Sequence, residues 1–157
     1  MTPPIALVVA VLLPVAVGVL GSFATVSAVR EWYPTLVRPS FAPPNWLFGP
    51  VWTALYVMMG VASWLAWRQG AARPEVRSAL AIYGVQLAFN LAWSWIFFGL
   101  RQPFVALVEI VVLLALIAMT ALRFAAVSRP AAVLLVPYLA WVAFATALNA
   151  GFWWLNR

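Results

Sequence analysis

The sequence predicts an all-α membrane protein, a single domain spanning 1–157 and built as a five-transmembrane-helix bundle. Three observations predict it. Hydrophobic residues make up 67% of the chain and charged residues only 8%, against about 25% charged in an ordinary soluble domain. The few charges are clustered, which leaves five long runs with one charge or none. Each run reaches the roughly 20 residues that cross a bilayer as a helix.

The first helix is expected over about 5–28, because Met1 to Val29 carries no charged side chain. The run lacks a basic leading region and is long for the apolar part of a signal peptide, so it reads as a span. Pro14 falls inside it and should bend it, freeing a carbonyl. A connector over about 29–46 follows. The stretch Arg30 to Trp52 holds five prolines (Pro34, Pro39, Pro43, Pro44, Pro50) and three tryptophans (Trp32, Trp46, Trp52). Proline fixes φ and removes a donor, so this stretch is not one continuous helix. A stiff aromatic connector beside a bundle suits a lid over a flat apolar ligand.

The second helix is expected over about 47–67, since Pro39 to Trp67 is uncharged. A short polar loop, Gln69 to Arg77, leads to the third helix, about 78–98. The turn Gly99 to Gln102 leads to the fourth, about 103–123, whose one charge is Glu109. The turn Ser128 to Pro130 leads to the fifth, about 130–154, which contains Pro137. Short turns imply antiparallel neighbours in a compact bundle. No internal repeat of the kind that builds many transporters is evident.

The net charge of +6 comes from nine arginines against three glutamates. The arginines lie at helix ends and in loops, where they anchor a span to headgroups. They form no dense basic patch, so nucleic acid is not a partner. Arg30, Arg38, Arg101 and Arg157 fall on one side of the membrane, and Arg68, Arg73, Arg77, Arg123 and Arg129 on the other. Four against five does not distinguish the two orientations under the positive-inside rule. The chain has no cysteine and no histidine. Disulfides, thiol chemistry and a His- or Cys-held metal or haem are therefore excluded. No metal site and no cofactor are implied.

Three groups of residues stand out within the spans. Gln86, Asn90 and Trp93 share one face of the third helix at i, i+4 and i+7. Amides in a bilayer need partners, so this face should point inward, as interhelical hydrogen bonds, as the polar edge of a pocket, or as both. Tyr138, Trp141, Ala145 and Asn149 share one face of the fifth helix, and small Ala145 beside Trp141 leaves room for a flat ring. Glu109 is a lone intramembrane carboxylate, to be read as a structural partner or as a functional group. Gly84 and Ala88 form a small-xxx-small pair on the third helix, which suits close approach of a second copy in a homodimer. Trp153 and Trp154 suit an interfacial belt.

Taken together, these segments resemble the TspO/MBR family, the translocator-protein and peripheral-type benzodiazepine receptor family, as a bacterial-type member. The matching pieces are Trp32-Tyr33, Arg38 through Trp46, Pro50 through Tyr56, Gln86 through Trp93, Phe97 through Gln102, and Pro137 through Trp141 continuing to Asn149. They occur in family order and spacing from about residue 20 onward. The resemblance implies a five-helix bundle, usually dimeric, with a pocket closed by the first loop. It implies porphyrins such as protoporphyrin IX, sterols and synthetic flat drugs as ligands. By motif, the ligand-binding set would be Trp32, Trp46, Phe48, Gly49, Trp52, Tyr56, Gln86, Asn90, Trp93, Tyr138, Trp141, Ala145 and Asn149. Some bacterial members are reported to degrade protoporphyrin in light, and the corresponding catalytic residues would be Trp52 and Trp141.

Two departures narrow these expectations. Animal members carry a C-terminal cholesterol motif with Tyr and Arg soon after Leu-Asn. Here Leu148-Asn149 is followed by Ala150-Gly151-Phe152-Trp153-Trp154, so cholesterol-like sterols are expected to bind with low affinity. Val105 stands where animal members carry a Trp, which should reduce drug affinity. The leading expectation is a membrane tetrapyrrole-binding sensor, regulator or transporter. The alternatives are a light- and oxygen-dependent porphyrin-degrading enzyme and a transporter of sterols or other apolar ligands. An Ala-, Leu- and Arg-rich chain without Lys suits the inner membrane of a bacterium.

Overall fold

A computed structural model describes residues 2–157. Five long helices account for most of them: α1 (Pro3–Glu31), α2 (Phe48–Trp67), α3 (Pro74–Ser94), α4 (Pro103–Val127) and α5 (Arg129–Leu155). Each is long and apolar enough to cross a membrane. Four of them, α1, α3, α4 and α5, carry proline in their first turn, where the missing N–H costs nothing. Ser128 caps α5 by accepting from the Ala131 N–H at 3.4 Å.

The helices close into a ring. Contacts run from α1 to α2, α2 to α5, α5 to α4, α4 to α3, and α3 back to α1. Large apolar side chains such as Leu12, Leu13, Phe23, Val108, Leu122 and Val133 cover the outside. Small ones face neighbours: Ala6, Pro14, Gly21, Ala24 and Ala28 are the buried residues of α1. That is the packing expected where lipid is as apolar as the helix and association rests on close contact. One end of the bundle is filled by Met59, Tyr83, Ile117, Phe124 and Leu135. The other is filled by Tyr33, Phe97, Ala106, Leu148 and Phe152.

Pro14 removes the N–H that would meet the Ala10 carbonyl. Gly60 of α2 lies against that spot: a Cβ there would come within 2.7 Å of the Ala10 oxygen and 2.5 Å of Val11 Cα. The crossing of α1 and α2 is therefore a backbone-to-backbone contact that only glycine allows.

The structure corrects several expected boundaries: α3 starts at Pro74 and not 78, and α4 runs on to Val127 and not 123. α1 runs on to Glu31, so the connector is shorter than expected and contains two 3₁₀ turns, Tyr33–Thr35 and Asn45–Leu47. The third helix does not stay α-helical to 98. It passes at Trp95–Gly99 into a π turn closed by Leu100 N–H to Trp95 O at 2.8 Å. The wider turn shifts the helical phase, so that Phe97 is buried and Phe98 also faces inward. Arg101, at φ 53°, then reverses the chain into α4.

Candidate functional site

Inside the ring, towards the end that carries the connector, lies a cavity of about 510 Å³. Its walls are mostly aromatic. Trp52 stacks on Tyr56 (5.6 Å, 29°), Phe48 meets Trp141 edge-on at 5.9 Å, and Trp93 stacks on Phe97 (5.2 Å, 23°). Ile110 and Leu113 of α4 line it as well, together with Val142, Ala145 and Leu148 of α5.

A hydrogen-bonded chain supports this wall. The Tyr56 hydroxyl donates to Asn90 Oδ1, Asn90 Nδ2 donates to the Tyr138 hydroxyl, and Tyr138 donates to Gln86 Oε1, each at 2.8 Å. A second set ties three helices together. Trp93 Nε1 donates to Asn149 Oδ1 at 3.0 Å, and Asn149 Nδ2 donates to the Pro103 carbonyl at 2.8 Å. These amides satisfy buried groups that would otherwise cost several kcal/mol in hydrocarbon.

Four buried side-chain polar atoms among the described residues have no partner: Tyr83 Oη, both Glu109 carboxylate oxygens, and Trp141 Nε1. Of these residues only Trp141 lines the cavity. Trp141 lines the cavity with its ring, while Nε1 itself is closed off from the open space, a buried donor left unsatisfied. Glu109 lies outside the lining, so its carboxylate is not a group of this site.

The connector roofs the cavity and is fastened at several points. Tyr33 packs on Phe152 at 5.2 Å, and the Arg38 guanidinium lies 5.7 Å from the Tyr33 ring. Burial pushes the Tyr33 phenol above its ordinary value, and nearby Arg38 partly opposes this. Arg38 Nη2 donates to the Pro43 carbonyl at 2.7 Å. Asn156 clamps the Val37 backbone from both sides, accepting from its N–H at 2.8 Å and donating to its carbonyl at 3.0 Å. Pro39 is buried against Gly151, where a Cβ would come within 2.7 Å of the proline ring. Glu31 and Arg101 pair across the rim at 3.5 Å.

Nine of the thirteen expected ligand-binding residues line this cavity: Phe48, Gly49, Trp52, Tyr56, Asn90, Trp93, Trp141, Ala145 and Asn149. Four do not. Trp46 is 71% exposed and points away. Trp32 packs on Phe97 at 5.6 Å, behind the lining. Gln86 and Tyr138 are fully buried in the hydrogen-bonded chain, one layer back from the cavity. Of the connector's rings only Tyr33 lines the cavity; Phe48 and Trp52, which also line it, belong to α2. The expected dimer residues Gly84 and Ala88 are exposed on the outer face of α3.

Sequence reasoning missed the contribution of α1. Val15, Gly18, Val19, Gly21, Ser22, Thr25, Val26 and Val29 all line the cavity. The signal available was small and hydroxylated residues at helical spacing, Gly18, Gly21, Ser22 and Thr25, in an otherwise bulky apolar run. It also missed Ser94, Phe97, Phe98 and Phe152, which the π turn and the end of α5 bring in.

Comparison with known proteins gives a consistent result. Residues 10–155 match the TspO/MBR family. The chain is 48% identical to the tryptophan-rich protein TspO of Chlorobaculum tepidum over 134 residues, 85% of each chain. It is 42% identical to the translocator protein of Bos taurus over 147 residues, 93% of this chain and 87% of the relative. It is 39% identical to the tryptophan-rich sensory protein of Cereibacter sphaeroides over 133 residues, 82% of this chain and 81% of that one.

Proposed function

The chain belongs to the TspO/MBR family of membrane proteins, and from that premise we propose that it binds a flat tetrapyrrole of the protoporphyrin type and acts as a sensor, regulator or carrier of it. The observation that carries this reading is the aromatic cavity itself, walled by Trp52 stacked on Tyr56, Phe48 against Trp141, and Trp93 stacked on Phe97. Stacked and edge-on rings suit a planar macrocycle. The sensory and translocator names of the relatives agree with a receptor or carrier. We place the protein in the cytoplasmic membrane of a bacterium, as a homodimer formed through Gly84 and Ala88. Sterols, lacking a planar π face, should occupy the same space more weakly.

The test is a dark titration of the purified protein with protoporphyrin IX, followed by tryptophan fluorescence. Saturable quenching is expected. Trp141→Phe keeps a ring but shrinks the face it presents, so affinity should fall by up to about 10-fold, the value of about 0.5–1.5 kcal/mol for one aromatic contact. Trp141→Ala should weaken it further. Unchanged affinity in both variants would remove this cavity from consideration.

One observation favours a second reading. Trp52, stacked on Tyr56 at the cavity wall, sets an oxidisable ring where an excited macrocycle would lie. In this reading dioxygen is the oxidant and the porphyrin the reductant: the photoexcited ring takes one electron from Trp52 or Trp141 and passes it to dioxygen, giving superoxide, and the tryptophan radical cation then takes one electron back from the ring, which is left oxidised by one electron. Illuminating the saturated complex decides it. A new absorbing product that Trp52→Phe abolishes supports an enzyme; a spectrum stable under light supports a binder alone.

A further inference from the structure

We propose that the cavity exchanges its ligand sideways with the bilayer, through a gap between α1 and α2, and not by opening its roof. The proposal rests on the cavity reading above, though its test is independent of any porphyrin.

The mouth of the cavity is marked by which lining residues are exposed. Those on α3, α4 and α5 are buried or half-buried without exception. The exposed lining residues are Val19, Ser22 and Val26 of α1, with Asn45, Gly49 and Thr53 at and just before the start of α2. All six border one gap.

The gap has a structural cause. α1 and α2 are pinned together low in the bundle, where Gly60 meets Val11 and Trp64 Nε1 donates to the Pro3 carbonyl at 3.2 Å. They still touch at Gly18, where a Cβ would come within 2.5 Å of the Tyr56 ring, and part company beyond it. α1 leans on α3, with Gly21 close to Ser94 and Ala24 close to Gly99. α2 leans on α5, with Trp52 meeting Tyr138 at 6.3 Å and Phe48 meeting Trp141. Gly49 adds no side chain to the opening, and a Cβ placed there would meet nothing within 4 Å.

The depth and chemistry of the gap suit lipid. Val26 and Val19 lie five and twelve residues before the end of α1, about 7.5 and 18 Å along its axis. The opening therefore reaches hydrocarbon depth. Its two hydroxyls are already satisfied, Ser22 by the Val19 carbonyl at 2.6 Å and Thr53 by the Gly49 carbonyl at 2.8 Å. A planar apolar molecule dissolved in the acyl chains would pass between these satisfied hydroxyls, the other polar side chain of the opening being Asn45, just before α2. The roof, by contrast, is held by the Asn156 clamp and the buried Pro39.

The absence of native cysteine supplies the test. Ala145→Cys puts the chain's single thiol on the cavity wall, where its reaction with a bilayer-partitioning maleimide in proteoliposomes reports passage into the cavity. Adding Val26→Trp, or independently Ser22→Phe, should slow labelling about tenfold, the effect of an extra 1.4 kcal/mol of barrier. Both residues face outward, so either bulky side chain can be accommodated by lipid. Adding Asn156→Ala, which loosens the roof, should leave the rate unchanged. Faster labelling with Asn156→Ala overturns the proposal even if a gap variant misfolds, as does full-rate labelling in folded gap variants. The dark porphyrin titration tests the ligand separately, so loss of saturable quenching sinks the ligand assignment and leaves the gap standing.

Discussion

Replacing Gly60 by alanine should destabilise this protein, although the same change at Gly84 should stabilise it. A Cβ on Gly60 would sit 2.5 Å from Val11 Cα, 2.7 Å from the Ala10 oxygen and 3.0 Å from the Val11 nitrogen. Ordinary contacts between carbon atoms lie at about 3.5–4.0 Å, so α1 and α2 must separate by about 1 Å. The clashing atoms are helix backbone and have no rotamer through which to escape. Overpacking of this kind costs about 1–3 kcal/mol. Against it stands the helix-propensity gain of alanine over glycine, about 1 kcal/mol. Gly60→Ala should therefore lose up to about 2 kcal/mol. Gly84→Ala provides the internal control, because a Cβ there meets nothing within 4 Å, and it should gain up to about 1 kcal/mol. The assay is denaturant unfolding in micelles, followed by tryptophan fluorescence, with enough detergent to keep the chain monomeric. If Gly60→Ala proves as stable as Gly84→Ala, the backbone-to-backbone crossing is not a tight contact and the account of how α1 and α2 diverge fails with it.

Asn90→Leu should cost about 1–3 kcal/mol in the same assay, because it strands the Tyr56 hydroxyl inside the bundle and takes one of two partners from the Tyr138 hydroxyl, which keeps Gln86; an unchanged unfolding curve would mean that the chain of amides and phenols is not a structural support. Asn156→Ala removes both bonds to Val37, worth about 1–2 kcal/mol together, and hydrogen exchange at residues 37–44 should quicken while the helices stay protected. The Tyr33 phenol should stay neutral above pH 10.0, since burial raises its value more than Arg38 lowers it. The sign follows from linkage: the folded roof favours the neutral phenol, so that stability is fully present below the unfolded value and is lost as pH rises through the folded one. The difference in phenolate absorbance between the native protein and Tyr33→Phe measures the midpoint, and a midpoint at or below 10.0 would contradict the packing described here.

Much of this protein was legible in its residues because a bilayer leaves a chain few options. With no water available, an apolar run of sufficient length becomes a helix whatever its neighbours do, so the five spans could be read before any packing was known. The inward faces of α3 and α5 were legible for the same reason. Asn90, Gln86 and Asn149 carry amides that hydrocarbon cannot satisfy, which obliges them to face other helices. α1 gave only a weak sign: Gly18, Gly21, Ser22 and Thr25 recur at helical spacing along the stripe that lines the cavity, but the two hydroxyls bond carbonyls of their own helix and so oblige no face to turn inward.

What only the tertiary structure decided was the arrangement of those faces around empty space. Trp32, Trp46 and Trp52 look alike in sequence, yet one packs behind the wall, one faces outward and one lines the cavity. Their fates depend on where the 3₁₀ turns and the start of α2 direct each ring, which is a property of the folded connector. The unpartnered Trp141 donor and the gap between α1 and α2 are likewise products of packing. Composition and periodicity determine that a helix is buried in lipid and which amides must turn inward. The distances at which helices cross, through Gly60 low in the bundle and through Gly21 and Gly99 above it, determine where the walls stand apart and what can pass between them.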